Sequence, residues 1–367
     1  MGCGSSVSPP LKKLDPAKFA KVFEKEKVTE IAWLNEEKCL LISEEQVEEE
    51  NPPTREEDPW YKPPLKVSVE VYDVKSKELK LLSSMVCKFD PCGGHIAASA
   101  DGQMYAVGVG KEVRVFKADG SETSKMNAYS NDSTSVSTMS FSPDGKHILV
   151  GSSNGGRKVA VMTVDGTEVY TCPIDDNYKF KVGLHWMDDK TVMILSNGCA
   201  AFHDISSKSE CGKWWGPPKG ASDYTHSMNP EGMRFMKTGR AYLAHKDDGQ
   251  LFLLKPGGAK FKVLETFKLH DKDFGMNCGT KFAVLSDEQT VIYERPNGSN
   301  HMDPVPDHFE ANVLASGGKS ELSRGDAKLT RVEMLELNVS ESVLATVDQE
   351  GAKLYSLGYK AEPAQGK

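Results

Sequence analysis

Short apolar runs, each closed off by turn residues, recur along this chain: LLIS, YAVG, ILVG, VMIL, YLAH, FAVL and LATV. Runs this short, bounded by Gly, Asp, Asn, Ser or Lys, predict strands buried on both faces rather than helices. Two of them belong to longer copies. SADGQMYAVG (99–108) set over SPDGKHILVG (142–151) matches Ser, Asp, Gly, Val and Gly at an offset of 43. VRVFKADGSE (113–122) lies over VAVMTVDGTE (159–168) at an offset of 46. Each copy reads as strand, Asp-Gly turn, strand, short turn, strand, Asp-Gly turn. Asp-Gly suits such turns because positive φ costs least in Gly and in Asn or Asp.

With this template, weaker copies emerge at 29–79, 181–210, 233–258, 274–298 and 332–357, which makes seven units. Their second strands are expected to open at Cys39, Met104, His147, Thr191, Ala241, Phe282 and Val343. The successive gaps are 65, 43, 44, 50, 41 and 61. Four of these lie near the period of a four-stranded propeller blade, about 40–45 residues. The two long gaps hold an acidic stretch and a Gly/Ser-rich stretch, expected to be insertions at 43–65 and 296–328. Unrelated hairpins in a sandwich are the competing fold. A near-constant period over most of the chain favours an all-β, seven-bladed propeller.

The segment FSPDGKHILVGSSNGG (141–156) resembles the strand-turn-strand core of a WD-repeat β-propeller blade, and the resemblance extends over roughly residues 17–358. No unit carries a Trp-Asp end; VYD (71–73) and FHD (202–204) come nearest to it. The family's Asp-His-Ser/Thr-Trp network therefore has no assignment here. The resemblance implies a non-enzymatic platform for protein partners. It also implies closure by an N-terminal strand, because the last unit has three clear strands before the polar tail 359–367. The segment AKFAKVFEK (17–25), with Phe19 and Phe23, is the expected donor.

Charge adds a second feature. The net charge of the 367 residues is −8. The stretch SEEQVEEENPPTREED (43–58) holds eight acidic residues and one Arg, so the rest is nearly neutral. Without a basic stripe, a nucleic-acid partner is not expected. The acidic stretch is either a solvated loop or a docking element for a basic partner, with Glu48, Glu49 and Glu50 at its centre. A second candidate contact is KWWGPPKG (213–220), where Trp214 and Trp215 are either core residues or a protruding aromatic anchor.

No apolar run approaches the roughly 18 residues of a transmembrane helix. The start MGCGSSVSPP instead matches the acylation pattern M-G-x-x-x-[ST], with Gly2 as the N-acyl site and Cys3 as acceptor of a second chain. One myristoyl chain binds a membrane only marginally, and a second makes the anchoring stable. Six lysines between Pro9 and Lys27 face three acidic residues there, a weaker third signal. The expectation is a flexible acylated segment (1–16) holding a propeller (17–358) to the cytosolic face of a membrane, in particular the plasma membrane. The acidic stretch should point away from an anionic leaflet.

Motifs for chemistry are sparse. GVGKEVRV (108–115) lacks the GKS or GKT of a phosphate loop and precedes a strand. CKFDPC (87–92) has no second pair at zinc spacing, and His185, His203, His226 and His245 are scattered. No cofactor or metal is expected. The alternative function, an enzyme or small-ligand binder, would need polar groups converging on the propeller's central channel.

Overall fold

The computed structural model describes residues 13–48, 52–53, 63–87, 93–129, 134–152, 158–173, 183–196, 199–214, 228–236, 239–245, 250–257, 261–269, 282–297, 305–314, 318–324 and 334–359. After a 3-10 turn (Pro16–Lys18) comes β1 (Ala20–Glu26). The next sixteen strands form four four-stranded sheets. These are β2–β5 (Val28–Trp33, Lys38–Gln46, Leu65–Asp73, Glu78–Cys87) and β6–β9 (Gly94–Ala98, Met104–Val109, Glu112–Lys117, Glu122–Asn127). Then come β10–β13 (Val136–Phe141, His147–Ser152, Val159–Thr163, Glu168–Cys172) and β14–β17 (Gly183–Trp186, Thr191–Ser196, Cys199–Asp204, Ser209–Trp214).

Two more sheets follow, β18–β21 (Met228–Phe235, Ala241–His245, Gln250–Pro256, Phe261–Lys268) and β22–β25 (Phe282–Val284, Thr290–Asn297, Val305–Val313, Gly318–Arg324). The last strands are β26–β28 (Met334–Leu337, Val343–Asp348, Gly351–Ser356). They form the seventh four-stranded sheet in the order β1-β28-β27-β26. Six four-stranded meanders and a seventh sheet completed by the N-terminal strand are the blades of a β-propeller, as expected.

The chain divides into two compact units. One is Lys25–Pro230 with Glu350–Ala352, and its cores lie between successive sheets. Leu40, Ile42, Val67 and Val69 of blade 1 pack on Tyr105, Val107 and Phe116 of blade 2. Blade 2 meets blade 3 through Val113, Val115, Ile148 and Val150, and blade 3 meets blade 4 through Leu149, Val161, Val192 and Ile194. The second strands alternate between these two cores: Leu149 faces one and Ile148 with Val150 the other. That is why the runs read as continuously apolar. Each such side chain contributes roughly 1.5–3 kcal/mol by burial.

The other unit holds Glu231–Gln349, the described residues up to Glu24, and those from Lys353 onward. Tyr242 and Leu251 of blade 5 pack on Phe282, Val291 and Tyr293 of blade 6. Blade 6 packs through Ile292, Phe309, Ala311 and Leu322 on Leu335, Leu344 and Tyr355 of blade 7, with Leu14 in the same cluster.

Three expectations need correction. The second strand of blade 6 opens at Thr290, not Phe282, which begins the first strand. The stretch 296–328 is not an insertion, because it contains β24 and β25, half of that blade. In blade 1, β3 runs on to Gln46 and β4 begins at Leu65, so the connection spans 47–64 and the first acidic residues belong to the blade.

Candidate interaction surface

Each blade has two ends of different character. At one end lie the turns joining its first strand to its second and its third to its fourth. Every one of these between consecutive strands is four or five residues long. Their shape comes from side chains that accept hydrogen bonds from backbone N–H groups just ahead. Asn35 Oδ1 accepts from Glu37 and Lys38, and Asp188 Oδ1 from Lys190 and Thr191. Asp287 Oδ1 accepts from Gln289 and Thr290, and Asn338 Oδ1 from Ser342 and Val343. In blades 2 and 3 a serine takes part: the Ser99 and Ser142 hydroxyls donate to Asp101 and Asp144 and accept from Met104 N and His147 N. These are Asx- and ST-type turns.

Neighbouring blades are also fastened at this end. In one unit Asp189 Oδ1 accepts from Asp144 N at 3.0 Å, and a Cβ on Gly102 (φ +68°) would lie 2.2 Å from Leu34 O. In the other, the buried Glu341 accepts from Ser286 N at 2.5 Å, and Arg240 lies 3.5 Å from Glu288. This end is built for rigidity.

The opposite end carries the second-to-third connections and the links between blades, which range from one residue (Lys27) to the eighteen of 47–64. The longest grows from the β3–β4 hairpin. Glu44 and Glu45 pair with Val67 and Lys66, and Val47 N donates to Pro64 O at 2.8 Å beyond the last ladder pair. Alternation turns Glu44 inward, where it accepts from Gly94 N at 2.5 Å and from the Thr29 hydroxyl at 3.2 Å. Glu45 and Glu48 face solvent. The acidic stretch therefore has a structural residue, Glu44, at its root, and among the described residues its carboxylates at Glu45 and Glu48 are exposed.

Of the other expected site residues, Trp214 lies in β17 and is buried, 7% exposed, so it is a core residue and not a protruding anchor. Trp215, Glu49, Glu50, Gly2 and Cys3 lie outside the described residues. The chain enters blade 7 at its short-turn end: Leu14 bridges to Tyr359, and the Ser356 hydroxyl donates to Ala20 O.

Titratable groups in the interior point to structure more than to chemistry. On the first strands of blades 1 and 2, Glu30 Oε2 lies 3.3 Å from His95 Nδ1 and accepts from Ile96 N at 2.8 Å. His203 is fully buried in blade 4, the same blade as His185, with Nδ1 3.2 Å from the Tyr170 hydroxyl. Desolvation holds its pKa below the ordinary value. Burial pushes the Cys172 thiol up to about 12, which disfavours a thiolate nucleophile. Among the described residues no group of three or more His, Cys, Asp or Glu is placed to hold a metal ion. No helix among them is long and apolar enough to cross a membrane.

The structure is similar to the C-terminal WD40 domain of Sif2, with a TM-score of 0.57 and 15% identity over 97% of this chain and 91% of that one. A chain of the mitotic checkpoint complex crystal structure is similar as well, at TM-score 0.64 and 12% identity over 98% and 97%. The fold is that of a WD40 propeller. No protein-family model and no curated protein matches the sequence. At these identities the WD40 likeness carries the architecture alone, so function has to be argued from the surface of this propeller.

Proposed function

We propose that this WD40-like propeller is a non-enzymatic protein-interaction scaffold that meets its partners at the long-connection end of its blades. One observation carries this reading. All variation in connection length is confined to that end, while the other end keeps turns of four or five residues. Connections free to vary on a rigid scaffold are where binding is built. The 47–64 connection is the docking element for a basic partner: its cluster of carboxylates attracts at long range, which raises association rates and weakens with salt. The test replaces 47–64 with a short Gly/Ser linker and leaves Glu44 in place. The melting temperature should not change, and salt-sensitive partners should disappear from a low-salt pull-down. An unaltered set of partners would overturn the assignment.

The scaffold reading extends to a membrane. Gly2 and Cys3 supply two acyl sites, and Leu14 is bridged to Tyr359 of blade 7, so only ten residues of sequence separate Cys3 from the blade. Acylation would hold the propeller close to the cytosolic face of the plasma membrane.

A further inference from the structure

A groove of about 540 Å³ opens at the short-turn end, between blades 2 and 3. That volume is within the range of ligand pockets, roughly 300–1,000 Å³. It lies wholly within the Lys25–Pro230 unit and apart from the acidic connection, which leaves its blade at the opposite end. Met104, Ala118 and Val164 supply its apolar lining, and Asp119, Asp165 and Lys117 its charges.

The walls are fixed by backbone and side-chain bonds. Gly120 N donates to Lys117 O at 2.9 Å, and Val164 N to Lys146 O at 3.1 Å. The Ser124 hydroxyl ties strand β9 to Val164 O at 2.5 Å. Each aspartate uses Oδ1 within its own turn: Asp119 accepts from Ser121 N at 2.9 Å, and Asp165 accepts from the Thr163 hydroxyl and from Thr167 N. Those bonds hold both carboxyls below their ordinary pKa, the Ser121 hydroxyl acting most on Asp119 and the Thr163 hydroxyl on Asp165. Both stay charged through mildly acidic pH.

We propose that this groove takes an arginine side chain of an extended partner peptide, the stem lying over Met104, Ala118 and Val164 and the guanidinium meeting Asp119 and Asp165. An apolar lining with two carboxylates against one ammonium suits a cation on a long apolar stem better than a neutral or acidic group. Arginine satisfies both halves, because its methylenes cover apolar surface while its planar fork pairs with carboxylates and sheds water more readily than an ammonium. The site does not depend on what the 47–64 connection binds.

The probe is a pool of capped nonapeptides with a central arginine and randomised flanks, compared with the same pool carrying citrulline. Both are passed over the immobilised full-length protein and over the D119N/D165N variant, in which each Asn can keep the Oδ1 acceptor its turn needs. The native protein should retain the arginine pool about tenfold over the citrulline pool at low salt. That preference should fall towards unity in the variant, which should melt at the native temperature, and also at about 0.5 M salt. Equal retention of the two pools by the native protein would overturn the proposal, as would an undiminished preference in the variant.

Discussion

Replacing Leu14 and Phe19 together by Ala tests the closure of the ring. Leu14 is 8% exposed, and the neighbouring Asp15 N donates to Gly358 O at 2.8 Å. Phe19 stacks on Tyr355, with ring centroids 5.1 Å apart and planes 10° from parallel, and lies 5.9 Å from Phe309. Truncating a buried Leu costs about 2–3 kcal/mol. Phe19 is half-buried, so its lost packing and ring contacts add about 1–2 kcal/mol. Because both residues belong to one cluster, the sum of about 3–5 kcal/mol holds only approximately. Unfolding entropy of about 2.1 cal/mol/K per residue over the roughly 260 described residues gives about 0.55 kcal/mol/K, so the melting temperature should drop by about 5–9 °C. Calorimetry reads the drop, and hydrogen exchange should locate it, with protection lost first in β28. A drop below about 1 °C, with β28 still protected, would refute the reasoning.

Glu44→Ala removes the acceptor of Gly94 N and should cost about 1–2 kcal/mol in urea unfolding, whereas Glu45→Ala, on the solvent face, should change stability by less than about 0.5 kcal/mol. Equal effects would place Glu44 with the solvated carboxylates. For His203, whose folded pKa is depressed, the unfolded chain takes up a proton first as pH falls through about 6.5, so stability present above that pH is lost on acidification. His203→Gln should flatten the stability profile between about pH 7.5 and 5.5, by at most about 1.4 kcal/mol per pH unit, and identical profiles would contradict this. Gly2→Ala should release the protein from membranes in fractionation while Cys3→Ser leaves weak, reversible binding; a Gly2→Ala protein still at the membrane would exclude acylation as the anchor.

The sequence announces the blades through their second strands, because a strand packed on both faces is apolar throughout. Six of the seven were therefore readable. Blade 6 was not, for a local reason. Its first strand, Phe282–Val284, is short and as apolar as a second strand, while the true second strand runs on through Glu294, Arg295 and Pro296. Its third and fourth strands read VPDHFEANV and GKSELSR, with few large apolar residues, and so look like a polar insertion. The repeat fades elsewhere because the turns keep their geometry without keeping Asp-Gly. Glu288 and Glu341 adopt positive φ where the clear copies have glycine, and Lys77 and Lys208 do so one position later in their turns. Nearby, Asp73, Asp204, Asp287 and Asn338 supply the acceptors. Glu44 could not be told from its acidic neighbours without knowing that β3 continues through it, since only the strand's alternation turns it inward. The groove between blades 2 and 3 was equally hidden, because its residues come from separate turns that only the packing brings together.

The most direct test of the account places a photo-cross-linking amino acid at exposed positions on the two ends of the blades. Glu48 and Gln349 report on the long-connection end, and Glu37 and Ser207 on the short turns. In native cells, adducts to partner proteins should form from positions 48 and 349 and be absent from 37 and 207, which lie on blades 1 and 4, off the groove between blades 2 and 3. Adducts of equal yield from both ends, or from the short turns alone, would contradict the claim that this propeller binds its partners through its long connections.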